Sequence, residues 1–166
     1  SVTHVAVVDW VRPASCAYLF EGMSSLASID GMGNLDTSRA TIMTCMFNGC
    51  ASLASIDLRP LDTSNVTDMS VMFGSCSSLS SLDLSSLNTS GVVGMSMMFK
   101  DCASLTSLDL SPLDTSSATQ MKGMFEGCSG LASLDISSLK TSKVTDMGEM
   151  FAHCSGIASL NLEHLN

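Results

Sequence analysis

The sequence is dominated by an internal repeat with a period of 26 residues. A cysteine recurs at this interval, and a phenylalanine stands three residues before each of these cysteines. The cysteines are Cys50, Cys76, Cys102, Cys128 and Cys154, and the phenylalanines are Phe47, Phe73, Phe99, Phe125 and Phe151. A fixed period of this length is typical of a solenoid, in which each unit is too small to fold alone and buries its apolar side chains against its neighbours.

The first half of each unit carries a period of two. In residues 53–61, Ile56 and Leu58 alternate with Ser55 and Asp57, which predicts a short strand with one buried face. The leucine spacing of this segment matches the leucine-rich repeat. We therefore expect the strands of successive units to form a parallel sheet along the concave side of the solenoid.

The second half of each unit has helical spacing. Val66, Met69, Met72, Phe73 and Cys76 fall within an arc of roughly 120° on a helical projection, the width of a core-facing stripe. The preceding segment, residues 62–65, supplies side-chain acceptors of the kind that begin helices. Its threonine column is expected to act as hydroxyl caps, and comprises Thr63, Thr89, Thr115 and Thr141. The predicted fold class is α/β, with short helices on the convex side.

Two domain segments are expected. Residues 1–12 lie outside the repeat and form an N-terminal cap, in which a strand bearing Val5, Val7 and Trp10 covers the open end of the core. Residues 13–166 form six tandem units, the first of which has one extra residue near residues 31–34. Because the chain stops at Asn166 within a unit, we expect an array truncated at its C-terminus that self-associates end to end.

The seven cysteines are expected to be structural. Met23 stands in the cysteine column of the first unit and Cys16 in a methionine column, so the two residue types exchange as apolar fillers. A disulfide between stacked coils remains an alternative, although a ladder of five cannot pair completely. Cys45 lies in a column that is not consistently apolar, and we expect it to be the reactive thiol.

Charge and composition exclude several functions. A net charge of −9 with seven basic residues disfavours nucleic acid, and the absence of an 18-residue apolar run disfavours membrane insertion. The sequence has no C-x-x-C zinc motif or glycine-rich phosphate loop, and the adjacent His153 and Cys154 lie in a turn where their side chains diverge. We therefore expect no enzyme activity, no catalytic residue, no metal centre and no cofactor.

The outward positions of the predicted sheet form the candidate binding surface, here called the Ser/Asp face. Its residues are Ser55, Asp57, Arg59, Ser81, Asp83, Ser107, Asp109, Ser133 and Asp135. Like charges opposed across strands destabilise a sheet, so some compensation is expected. Three interpretations remain open: an ordinary solvated acidic face, a docking surface for a basic patch on a protein partner, and weak calcium coordination.

The complete repeat unit resembles a known family. Met-Phe, the cysteine, Leu-x-x-Leu-Asp-Leu and Asp-Thr-Ser-x-Val-Thr-x-Met together are similar to the bacterial surface protein repeat of BspA-like leucine-rich repeat proteins, across residues 13–166. The resemblance implies an extracellular protein of the bacterial cell surface that mediates adhesion. The partners it implies are a host extracellular protein (matrix protein, receptor or immunoglobulin) or a mucin glycan. A structural stalk within a larger surface protein is the alternative.

Overall fold

The structure, a computed structural model, describes residues 1–165. The chain winds into successive coils, and parallel bridges join residues about one repeat apart: Ile42 to Asp68, Asp68 to Gly94, Gly94 to Gln120 and Gln120 to Asp146. The regular elements are β1 (His4–Ala6), β2 (Ser28–Asp30) and a 3₁₀ helix, Met32–Asn34. The predicted solenoid is therefore present, but most of each coil consists of turns.

The N-terminal strand pairs with the first repeat unit. β1 lies parallel to β2, with His4 opposite Ser28, Val5 opposite Ile29 and Ala6 opposite Asp30. Val5 and Val7 pack against the core, as the sequence predicts. Trp10 is 74% exposed, so the prediction that it covers the end of the core is wrong.

The segment predicted as a convex helix is a ladder of turns. The main-chain N–H groups of Met69, Val71 and Phe73 donate to carbonyls of the next coil, each across 2.9 Å. Alternate residues donate instead to the carbonyl three positions earlier, as Met72 does to Met69. This pattern recurs through residues 16–127, and we call it the turn ladder.

The helix prediction is wrong throughout residues 1–165. Two residues in each coil, four positions apart, have left-handed backbone angles; in one coil they are Val71, with φ 59°, and Ser75, with φ 55°. A right-handed helix cannot pass through such residues. The apolar stripe nevertheless exists, since Met69, Met72, Phe73 and Cys76 are all completely buried. Successive turns bring every third or fourth side chain to one side, which imitates helical spacing.

The predicted concave sheet is restricted to its first two strands. Burial alternates along Ser55, Ile56, Asp57 and Leu58 as a period of two requires. However, pairing between named strands within residues 1–165 occurs only between β1 and β2, and no main-chain hydrogen bond joins residues 55–58 to residues 81–84. The coils are joined instead by the turn ladder, which supplies the backbone partners that a sheet would otherwise supply.

The interior is built from columns of identical side chains. Each phenylalanine ring stacks on the next at centroid distances of 5.5 to 5.9 Å, from Phe20 to Phe151. The prediction of buried cysteines is confirmed for Cys50, Cys76, Cys102 and Cys128, which are 0% exposed. Their thiols also donate to a phenylalanine carbonyl of the preceding coil, as Cys102 does to Phe73 across 3.1 Å. All seven cysteines are free.

A buried threonine column links the coils a second time. The hydroxyl of Thr89 donates to the carbonyl of Asp114 across 3.1 Å and accepts from the N–H of the same residue across 2.8 Å. Thr37, Thr63 and Thr115 make the same pair of bonds to the next coil. The predicted helix-capping role is therefore wrong, because these hydroxyls bridge coils.

Replacing Thr89 by valine tests the bridge. The substitution keeps the shape of the buried side chain but leaves the part-buried N–H and carbonyl of Asp114 without their partner. We expect Thr89→Val to lower the free energy of unfolding by about 1–3 kcal/mol, measured by urea denaturation. Thr89→Ser, which keeps the hydroxyl, should lose less. The exposed Thr106→Val is the control, and an equal loss in both valine variants would contradict the bridging role.

Candidate functional site

All nine residues of the predicted Ser/Asp face are exposed. They follow one another along successive coils, outside the turn ladder. The structure thus leaves these serines and aspartates accessible at successive levels of the solenoid. Whether this face binds a partner stays a prediction.

Each aspartate of the face closes a local turn. The Oδ1 atom of Asp83 accepts a hydrogen bond of 2.9 Å from the N–H of Ser85, two residues later. Asp57, Asp109 and Asp135 do the same with Arg59, Ser111 and Ser137. Sequence analysis missed this role, although an aspartate that can bind the main chain two residues on is a known turn signal. The carboxylates are therefore oriented before any partner arrives.

These hydrogen bonds provide the compensation that the clustered negative charge requires. Bonds from the main chain and side chain of Ser111 lower the pKa of Asp109, and outweigh the repulsion from Asp135 and Asp83 that raises it. Bonds from the side chain and main chain of Arg59 lower the pKa of Asp57 to about 2. The face is consequently anionic at neutral pH, because hydrogen bonding to a carboxylate favours its charged form.

Cations are unevenly distributed along the face. Arg59 forms a bidentate pair with Asp57, with N–O distances of 2.9 and 2.8 Å, and His4 lies 3.5 Å from Asp30. None of the ion pairs among residues 1–165 involves Asp83, Asp109 or Asp135. The central and C-terminal part of the face therefore offers three carboxylates whose charge is not neutralised by a contacting side chain.

A second file of residues, predicted from the sequence as side-chain acceptors at helix starts, closes turns instead. Its members are Asp36, Asp62, Asn88 and Asp114, and each accepts the N–H of a serine two residues later at 2.9 to 3.1 Å. Arg12 pairs with Asp36 and Lys140 with Asp114. This file, adjacent to the buried threonines, has the same local chemistry as the Ser/Asp face but two of its charges are paired.

The thiols are poor candidates for chemistry. Burial is the largest cause of a raised pKa for Cys45, and the charges of Glu21 and Asp68 add to it. Cys45 is only 9% exposed, so the expectation of a reactive thiol at this position is wrong. The thiol of Cys154 donates to the carbonyl of Phe125 across 2.9 Å, and burial raises its pKa. A neighbouring histidine does not make this cysteine a nucleophile, because the thiolate is the reactive form.

Two further properties limit the chemistry of the described part of the chain. Residues 1–165 contain no group of three or more histidine, cysteine, aspartate or glutamate side chains arranged to hold a metal ion. The same residues include no helix with the length and hydropathy needed to cross a membrane.

The lowered pKa values make stability sensitive to acid. The pKa of Asp114 is lowered to about 2 by hydrogen bonds from Ser116 and Lys140, as that of Asp57 is by Arg59. A depressed folded-state pKa contributes stability above the ordinary value of 3.8, and this contribution is lost as the pH falls through the folded-state value.

Asparagine at both positions should remove this dependence and keep the turns, because Asn161 and Asn88 close equivalent turns with their side-chain oxygens. We expect the melting temperature of Asp57→Asn/Asp114→Asn to lie below that of the wild type at pH 6 and to converge with it near pH 2. Calorimetry across this range measures the difference. Asp9→Asn, at an exposed position without a side-chain hydrogen bond or ion pair, is the control. A difference in melting temperature that does not change with pH would contradict the role assigned to these two carboxylates.

Solved structures share the architecture. A leucine-rich repeat protein of T. pallidum has a TM-score of 0.57 and 24% identity, over 93% of this chain and 64% of that protein. A leucine-rich repeat protein of Bacteroides ovatus has a TM-score of 0.54 and 20% identity, over 93% of this chain and 36% of that protein. The chain thus spans less than two thirds of either neighbour. No curated protein matches the sequence.

The sequence itself matches a family model along almost its whole length. The model described as "Mycoplasma protein of unknown function, DUF285" matches residues 14–109 and again residues 82–165. Two overlapping matches are what a tandem array produces, because the model can align with different sets of units. With the leucine-rich repeat fold of its structural neighbours, this confirms the resemblance to BspA-like repeats at the level of the fold. The chain belongs to the DUF285 family of repeat proteins.

Proposed function

We propose that this chain is a non-enzymatic binding module of a bacterial cell-surface protein, and that it docks an extracellular protein of the host through its Ser/Asp face. The observation that carries the proposal is the row formed by Asp83, Asp109 and Asp135. Each is exposed, each is oriented by a main-chain N–H group, and none is in an ion pair within the described chain. Such a row is complementary to a basic patch on a partner.

Preorganisation is the physical reason to expect useful affinity from this row. A flexible carboxylate loses rotational freedom when it binds, whereas these carboxylates are already held by hydrogen bonds. Their side chains are short, and their positions are fixed by the coil. Charge complementarity of this kind raises association rates and selects basic partners more than it adds affinity.

The surface of the turn ladder is less suited to the same role. Lys100 lies 2.6 Å from Glu126 of the next coil, and Lys122 lies 3.6 Å from Glu149. Each of these lysines is thus paired within the chain, unlike Asp83, Asp109 and Asp135. The contrast favours the Ser/Asp face as the docking surface.

The chemistry of the face favours protein over other partners. A matrix protein, receptor or immunoglobulin with exposed lysine or arginine offers the required charge, while nucleic acid would be repelled by the net charge of −9. A mucin glycan is the alternative ligand, but no residue of the face supplies an aromatic ring on which a sugar could pack. Calcium bridging between carboxylates is a second route to a polar ligand.

A structural stalk is the second candidate function. The unbroken stack of phenylalanines from Phe20 to Phe151 and the turn ladder tie every coil to the next, which favours a stiff spacer. The proposed domain division, with a cap at residues 1–12 and the array at 13–166, suits either function. End-to-end self-association also stays a prediction, and Asn166, on which it was based, lies outside the described residues.

The two functions are separated by a matched pair of variants. One replaces Asp83, Asp109 and Asp135 by asparagine, and the other replaces Asp36, Asp62 and Asp114. Both raise the net charge by the same amount and keep the turn-closing oxygen. We expect a host-protein ligand to bind the wild type and the second variant, and to bind the first at least about tenfold more weakly, or roughly 1.4 kcal/mol.

Binding is measured by surface plasmon resonance against a panel of matrix proteins, receptors, immunoglobulins and mucin, with and without calcium. Loss of binding in calcium-free buffer would assign the contact to coordination. Equal loss in both variants would indicate non-specific electrostatics and contradict the Ser/Asp face. Absence of binding by the wild type to every member of the panel would favour the stalk.

A further inference from the structure

The first two coils are separated by a recess on the Ser/Asp face. It has a volume of about 390 Å³ and is lined by twelve residues, 27–33, 53, 55–57 and 60. The next recess along this face, lined by residues that include Asp109 and Asp135, has a volume of about 100 Å³. The larger recess therefore coincides with the one place where the repeat is irregular.

The extra residue of the first unit explains why the recess exists. Residues Met32–Asn34 form the 3₁₀ helix, and the side chain of Asn34 donates to the carbonyl of Val7 across 2.7 Å. This contact holds the inserted segment toward the N-terminal coil, as does the pairing of β2 with β1. As between residues 55–58 and 81–84, no main-chain hydrogen bond joins residues 28–33 to residues 53–58, so only the contacts with the N-terminal coil distinguish this segment. The first coil is thus tied backward at this point, and a gap opens in front of it.

A glycine makes this arrangement possible. Gly31 has φ of +69° and begins the inserted segment, and a Cβ atom at this position would clash with the carbonyl oxygen of Val7. Any side chain here would push the insertion away from the N-terminal coil and into the recess. The recess is consequently a defined feature of the first unit.

The lining has an apolar floor and an acidic rim. Ile29, Leu53, Ile56 and Pro60 contribute apolar surface. Asp30 and Asp57 contribute carboxylates, which lie beside the exposed cations His4 and Arg59. Of the twelve lining residues none is basic and none is aromatic. A long aliphatic side chain that ends in a positive charge satisfies both parts, because its stem covers apolar surface while its charged end reaches the carboxylates.

The chain itself contains an example of the required contact. Arg59, adjacent to the recess but not part of its lining, binds Asp57 through two of its guanidinium nitrogens. Asp57 thus already accepts one basic group with bidentate geometry, and a basic side chain of a partner would have to displace Arg59 from it. In the corresponding position the later units have Ser85, Ser111, Ser137 and Glu163, so the arginine is a peculiarity of the unit that borders the recess.

We propose that this recess is the specificity pocket of the Ser/Asp face and takes one lysine or arginine side chain of the protein partner, with Asp30 and Asp57 binding its charge. The inference rests on the proposed function and adds to it a particular site. The row from Asp83 to Asp135 then attracts the basic partner, and the recess fixes its register along the solenoid.

The test uses a tetralysine peptide as probe and the amide resonances of the intact ¹⁵N-labelled chain as readout. Ser55→Phe places a ring in the recess. Ser133→Phe places the same ring at the equivalent exposed position three coils further along. We expect the probe to shift the resonances of residues 28–33 and 55–57 in the wild type and in Ser133→Phe, and to bind there about fivefold or more weakly in Ser55→Phe.

A second pair of variants tests the same site by gain of binding. Arg59→Ser removes the internal competitor for Asp57 and restores the serine found in later units, so it should tighten binding at the recess about fivefold. Arg39→Ser lies at an exposed position outside every ion pair of the described chain and changes the net charge equally. We expect it to leave binding at the recess unchanged. Lysine-acetylated peptide, which has the stem without the charge, should bind neither variant.

The outcomes separate the two proposals. Shifts confined to residues around Asp83, Asp109 and Asp135, unaffected by Ser55→Phe, would overturn the recess but leave the Ser/Asp face as a docking surface. Shifts on neither region would overturn both. If Arg59→Ser and Arg39→Ser increased the affinity of the peptide equally, net charge would explain the effect. This result would also overturn the assignment of the recess as a specificity pocket.

Discussion

The hydrogen bonds of the turn ladder are the interaction on which the rest of the structure depends. In one coil, Met69, Val71, Phe73 and Ser75 each donate their N–H group to the following coil. These bonds fix the spacing of the coils, and the phenylalanine stack, the cysteine thiols and the buried threonines all repeat at that spacing. Because buried backbone groups must be paired, a coil that lost its neighbour would leave several donors and acceptors exposed together. Stability in such an array is a property of adjacent pairs of coils.

Because the turn ladder joins the coils, the Ser/Asp face is left available for function. The coils are held together by the turn ladder and the core, so the Ser/Asp face need not supply cohesion through a continuous sheet. Its aspartates are instead used locally, each to close a turn with the residue two positions on. The same hydrogen bonds that form the turns keep the carboxylates charged and oriented, so a structural device also produces an ordered anionic surface.

The irregular first unit illustrates how a small change in sequence can differentiate one level of a repetitive molecule. One inserted residue, accommodated by the left-handed conformation of Gly31 and by the contact of Asn34 with Val7, coincides with a recess between the first and second coils on the Ser/Asp face. Every later unit lacks this insertion. In a repeat protein, departures from the consensus are therefore the natural places to look for specificity, because the consensus itself is explained by packing.

The sequence alone determined the period, the buried columns and the exposure of the Ser/Asp face, since these depend only on which residues recur at 26-residue intervals. It did not determine the backbone conformation. Turns and a helix give the same apolar spacing. The signal that distinguishes them is glycine in two columns four residues apart, as at Gly123 and Gly127, or at Gly49. This signal is obscured in other units, where Val71 or Met97 adopts the same left-handed angle. The tertiary structure decided between them, because N–H groups that are bonded to the next coil are not available to a helix. It also decided the role of the threonines and the place of the recess, which depend on partners a full coil away.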